Sequence, residues 1–168
     1  MFKSKQPAMY KFLFISLISA LALNLTAQNI PSVEIKTMSG KTFNTADLTN
    51  NGKPIVISFW ATWCKPCVKE LSAIHENYID WQEETGVKVI AISTDDSRSM
   101  SRVAPYVNSK GWDFEVYCDP NGEFKRAMNV ANVPHTFLLD GNGKIVWQHT
   151  SYIDGDEEEL FEKIKEIK

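Results

Sequence analysis

Cysteine is scarce in this chain of 168 residues: there are three, Cys64, Cys67 and Cys118. Three thiols cannot form the dense disulfide framework that holds small secreted scaffolds together. A second Cys-x-x-Cys pair, which would complete the usual four-ligand structural zinc site, is missing. Histidine is equally sparse, and no two of His75, His135 and His149 have the spacing of paired metal ligands on a helix. No apolar run reaches the about 20 residues of a membrane-spanning helix. Repeats, low-complexity tracts and glycine-rich nucleotide motifs are also absent. With 43% hydrophobic residues, the chain suits one compact domain with a real core.

Acid is lacking at the start of the chain, where none precedes Glu34 while Lys3, Lys5 and Lys11 are basic. An apolar stretch of 14 residues, Phe12 to Leu25, follows. That is too short to span a bilayer and the right length for a signal-peptide core. Cleavage is expected after Ala27, with Ala22 the other candidate, and an uncleaved anchor is the competing reading. The expected organisation is a signal peptide at 1–27 and one domain at 28–168, exported to the periplasm or its extracytoplasmic equivalent. Removing 1–27 leaves 15 basic and 21 acidic residues, a net charge of −6. That balance argues against nucleic-acid binding.

The remainder alternates strand and helix patterns. "VEIKT" and "KTFNT", joined at Ser39-Gly40, predict an N-terminal hairpin. "PIVISFW" is a β-branched run of the kind buried on both faces in a central parallel strand. From about Lys65 to Glu84, Cys67, Leu71, Ile74, Tyr78 and Trp81 recur every three or four residues, one face of a helix. "VKVIAIS" predicts the next core strand. A further helix ends at Gly111, with Pro105 either kinking it or marking its start. "FEVYC", a short helix near Glu123–Met128, the "HTFLLD"/"KIVWQH" hairpin around "GNG" and a final helix opening on "DGDEEEL" complete the pattern. The expected fold class is α/β: a mixed central sheet with helices on both faces.

Cys64 and Cys67 stand where the strand "PIVISFW" feeds into the first helix. A helix N-terminus offers unpaired N–H groups and the positive end of the dipole, which favour a thiolate at Cys64. Cys67, one turn on, falls on the core-facing stripe within reach of Cys64 and suits a resolving role. Pro66 is tolerated in the first turn, and Lys65 adds positive charge. Metal binding and a purely structural disulfide are the competing readings. So short a disulfide loop would remove little entropy from the unfolded chain.

"WCKPC" after a strand, "VPHTFLLD" near the end and this element order resemble the thioredoxin superfamily. The resemblance, over roughly Ile30 to Lys168, is closest to exported TlpA/ResA-type thiol–disulfide oxidoreductases. It implies a thioredoxin-like fold with Cys64 as nucleophile, Cys67 as resolving cysteine and Pro134 as a cis-proline opposite them. Val133 would offer its backbone to substrate, beside Trp63, Lys65 and Pro66. Glu70 matches an acid three positions after the second cysteine in ResA-like proteins. Ser58 stands where thioredoxin has a buried aspartate. The cofactor is then the redox-active Cys64–Cys67 disulfide alone, with no metal. Partners are protein disulfides and a membrane thiol–disulfide electron donor, and the chain is expected to be a monomer. The resemblance further implies reduction of extracytoplasmic disulfides, with cytochrome c maturation as a setting. A redox-inert module binding copper through its thiols and a thioredoxin-fold peroxidase are the alternatives.

Glu70 is expected to shuttle a proton for Cys67 if burial raises its pKa, against a solvated first-turn glutamate. Cys118 reads as a small buried thiol. His135 follows Pro134 and so could approach the site, whereas His75 and His149 read as surface and strand residues. Trp60 and Trp63 read as packing residues, with Trp63 placed to cover the disulfide's rim. "DGDEEEL" reads as a solvated cap.

Overall fold

The computed structural model describes residues 29–167; the expected leader at 1–27 lies outside them. In chain order the elements are β1 (Glu34–Thr37), β2 (Thr42–Asn44), β3 (Ile55–Trp60), α1 (Lys65–Thr85), β4 (Lys88–Ser93), α2 (Val103–Lys110) and β5 (Glu115–Cys118). Then come α3 (Glu123–Ala127), β6 (His135–Leu139), β7 (Ile145–Thr150) and α4 (Asp156–Lys165). Seven strands form one sheet in the order β2-β1-β5-β4-β3-β6-β7. β3, β4 and β5 run parallel, while the hairpins β1–β2 and β6–β7 flank them antiparallel.

All six residues of β3 are buried, as the apolar run predicts. Its alternate residues serve two cores. Val56 and Trp60 face α1, α2 and α4 with Leu71, Ile74, Val107 and Ile164. Ile55, Ile57 and Phe59 face α3 with Phe124 and Met128. Helices therefore cover both faces of a mixed sheet.

α1 ends where Gly86 adopts φ +71, a left-handed cap open to glycine at little cost. Gly141 in the β6–β7 turn is needed for another reason: a Cβ there would run into the Gly52 carbonyl. Pro105 does not kink its helix. It lies in the first turn of α2, where its missing N–H has no partner to lose. The acidic run that opens α4 is more than a solvated cap. The Tyr152 hydroxyl donates to Glu157 at 2.6 Å, and His149 lies 3.2 Å from Asp156. Among the described residues no helix is long and apolar enough to cross a membrane.

Candidate active site

The carboxyl ends of the parallel strands and the start of β6 meet at one rim of the sheet, and the cysteine pair sits there. Cys64 is the N-cap of α1, a helix of 21 residues. Its Sγ accepts the Cys67 N–H at 3.3 Å, and its own N–H closes a turn onto Ala61 O at 3.0 Å. Pro66 occupies the first turn. Cys64 and Cys67 are joined by a disulfide, with Cα atoms 5.3 Å apart.

Both cysteines are largely closed off from solvent. Cys64 is only 5% exposed and Cys67 fully buried. Trp63 is the main correction: it is 69% exposed and packs in no core. With its strand ending at Trp60, the loop 61–64 points residue 63 outward. Trp60, by contrast, is fully buried edge-on to Trp112. Lys65 and Pro66 are exposed beside Trp63. A shallow cleft runs from Trp63 past Asp96 and Arg98 to Arg102.

Across from the pair, the Val133–Pro134 peptide is cis, and Val133 O lies 3.7 Å from Cys64 Sγ. Pro66, Asn132, Val133, Pro134 and His135 line a groove on that side. His135 reaches this groove, but its ring stacks on Phe137 and its Nε2 meets Gln148 Oε1 at 3.1 Å. Burial pushes its pKa below the usual histidine range, which keeps it neutral.

Behind the pair lies Glu70, on the same helix and 4% exposed. It is not a solvated first-turn glutamate. Thr136 donates to one carboxylate oxygen at 2.6 Å and Ser58 to the other at 3.3 Å. Burial raises its pKa to about 7; the Thr136 and Ser58 hydrogen bonds oppose the rise, and the charges of Asp156 and Glu157 add to it. The acid absent from Ser58 on β3 is thus supplied to the same spot from α1. Thr136 went unnoticed in the sequence; its signal is a single hydroxyl just before the apolar "FLL" of β6, two residues after Pro134.

Cys118 is free and buried, and burial together with the charge of Asp95 pushes its thiol up to about 11. Such a thiol stays protonated and unreactive at neutral pH. Among the described residues no three His, Cys, Asp or Glu side chains converge as a metal-binding group.

The AhpC/TSA family profile matches residues 26–148. The chain is 32% identical over 139 residues to the thiol-disulfide oxidoreductase ResA of Bacillus thuringiensis subsp. konkukian, covering 82% of this chain and 75% of that protein. Identity to ResA of Bacillus thuringiensis strain Al Hakam is 35% over 118 residues, covering 70% of this chain and 65% of that protein. The chain thus spans just under two thirds of the length of that second relative. Among solved structures, a thioredoxin-like protein from Porphyromonas gingivalis is 52% identical with a TM-score of 0.75, covering 86% of this chain and 94% of the other. StoA from Bacillus subtilis, 20% identical, shares the fold at a TM-score of 0.60 over 79% of this chain and 97% of its own. The chain therefore belongs to the AhpC/TSA family, with a thioredoxin-like fold, and is a thiol–disulfide oxidoreductase of the ResA type.

Proposed function

We propose that this protein works outside the cytoplasm as a reductant of protein disulfides, with Cys64 as the attacking thiol and Cys67 as the resolving one. The observation that carries this reading is the position of Cys64 Sγ, at the N-cap of α1 and facing Val133 O. In the reduced protein the Cys64 thiolate attacks one sulfur of a substrate disulfide. A mixed disulfide forms and the substrate's other sulfur leaves as a thiolate. Cys67 then gives up its proton and attacks Cys64 Sγ. The Cys64–Cys67 disulfide forms, and the substrate departs with both its thiols, having gained two electrons.

Glu70, one turn beyond Cys67, is the proton acceptor for that second step. A carboxyl with a pKa of about 7 takes and returns a proton with little cost near neutrality. When ionised it also disfavours thiolate nearby, which makes the dithiol less stable and so a stronger reductant. Trp63, Lys65 and Pro66 on one side and Val133 and Pro134 on the other form the surface that receives substrate. The redox-active disulfide is the only cofactor this chemistry requires. A dithiol donor at the membrane returns the pair to its reduced form, and the cysteines of unfolded c-type cytochromes are the substrate class we favour.

The test is transfer of electrons from the reduced mature chain to a disulfide-bonded protein such as insulin, in chelator. One substrate disulfide should be reduced per chain oxidised, and Cys64→Ser should abolish transfer. Absence of transfer by the native chain would overturn the reading. Its export is checked by the mass of the protein recovered outside the cytoplasm, which should begin near Gln28.

A further inference from the structure

Asp95, two residues beyond the end of β4, is fully buried, and its carboxylate is bound to the cysteine loop. Oδ2 accepts the Thr62 N–H at 2.8 Å, and Oδ1 accepts the Thr62 hydroxyl at 2.6 Å. The Ser93 hydroxyl donates to Oδ2 at 2.8 Å. That hydroxyl in turn accepts the Asp95 N–H at 3.1 Å, which fixes the direction of its proton. Three donors and no acceptor around the carboxyl group match the ionised form. Among the described residues, none of the ion pairs includes Asp95. It is a buried anion balanced by hydrogen bonds alone.

Thr62 belongs to the tight turn that the Cys64 N–H closes onto Ala61 O, so Asp95 holds the chain two residues before the sulfur. The opposite side of the site is tied to the same strand end. Ser93 O accepts the N–H of Asp119, and the Asp119 carboxylate receives the Glu123 and Lys125 N–H groups at the start of α3. From α3 the chain continues to Val133 and Pro134. The end of β4 is therefore a common anchor for both walls of the site.

We propose that Asp95 is a positioning residue for the exchange reaction, which fixes the loop that presents Cys64 and whose charge biases the cysteine pair toward the disulfide. A hydrogen-bond acceptor alone could have been an asparagine or a backbone carbonyl; a buried carboxylate adds a fixed negative charge at a desolvation cost. That charge opposes a thiolate at Cys64 but leaves the neutral disulfide untouched, so it strengthens the dithiol as a reductant. The charge is felt elsewhere in the site, since it helps to raise the Cys118 thiol. Other ionisable groups at this rim are Lys65 and Glu70 on α1, Asp96 and Arg98 after β4, Asp119 after β5 and His135 on β6. None of these is altered in the comparison that follows.

This inference rests on exchange through Cys64 and Cys67, so the native mature chain is equilibrated with glutathione first. No exchange there would defeat that reading, not this one. Asp95→Asn keeps the shape and removes the charge. Its equilibrium constant should move about tenfold toward the dithiol, or about 30 mV, and its thiol titration should move to lower pH. A folded Asp95→Asn chain with native potential and titration would overturn the proposal. Should circular dichroism find that variant unfolded, Thr62→Val decides, since it keeps the charge and deletes one anchoring bond. Slower reduction of a protein disulfide at an unchanged potential is then expected, and an unchanged rate would overturn the anchoring role.

Discussion

The Thr136 hydroxyl on β6 donates to the Glu70 carboxylate on α1 at 2.6 Å, joining residues 66 positions apart in the chain. Ser58 on β3 reaches the other oxygen. Three elements thus enclose one carboxyl group behind the cysteine pair, and that enclosure gives it a pKa of about 7.

Glu70 should make the fold less stable as pH rises. Its folded pKa exceeds its unfolded value, so its contribution is most favourable below about 4.5 and is lost as pH climbs to about 7. The difference corresponds to about 3 kcal/mol in the oxidised protein. Urea unfolding of the disulfide form should show Glu70→Gln gaining on the native chain between those pH values, then keeping a constant advantage. A parallel pH dependence in both proteins would refute a buried, titrating Glu70. Thr136→Val removes a bond that favours the ionised form, so it should push the Glu70 titration further up.

Loss of Cys67 should leave Cys64 able to attack but unable to be released. Cys67→Ser is expected to accumulate mixed disulfides with exported proteins, resolved by dithiothreitol on a non-reducing gel. Cys64→Ser should accumulate few. Peptide mapping that found the trapped partner on Cys67 in the latter variant would reverse the two roles.

Trp63 offers a wide apolar surface beside Cys64, most of it open to solvent. Exposed tryptophans at contact surfaces often carry about 2 kcal/mol or more of binding. Trp63→Ala should therefore raise KM for a protein disulfide by about thirtyfold while leaving the rate with a small disulfide, such as oxidised glutathione, near native. Equal losses with both substrates would assign Trp63 to the cysteine loop and not to partner binding.

Much of the framework was legible because it depends on local pattern. The β-branched run 54–60, the three- and four-residue stripe from Cys67 to Trp81 and the glycine-rich turn at 141–143 each identify an element within a few residues. The cysteine pair stood out by spacing and by its place at a strand–helix junction. Trp63 was misread because apolar composition suggests burial, whereas the turn at 61–64 decides which way a side chain points. Thr136 and Asp95 were harder still. Their partners lie 66 and 33 positions away, and a lone hydroxyl in a strand or an acid after one has no periodic signature. The state of Glu70 depended on the same long-range packing. Spacing placed it one turn past Cys67, but only the approach of β3 and β6 closes it off from water.

The most direct measurement is the midpoint potential of the Cys64–Cys67 pair at pH 7, read by alkylation and mass in glutathione or dithiothreitol buffers of set composition. A reductant with a carboxylate behind its cysteines should lie near the thioredoxin end of the range, about −270 mV, and should titrate as one two-electron couple. A value near that of DsbA, about −120 mV, would make the pair an oxidant and contradict the account.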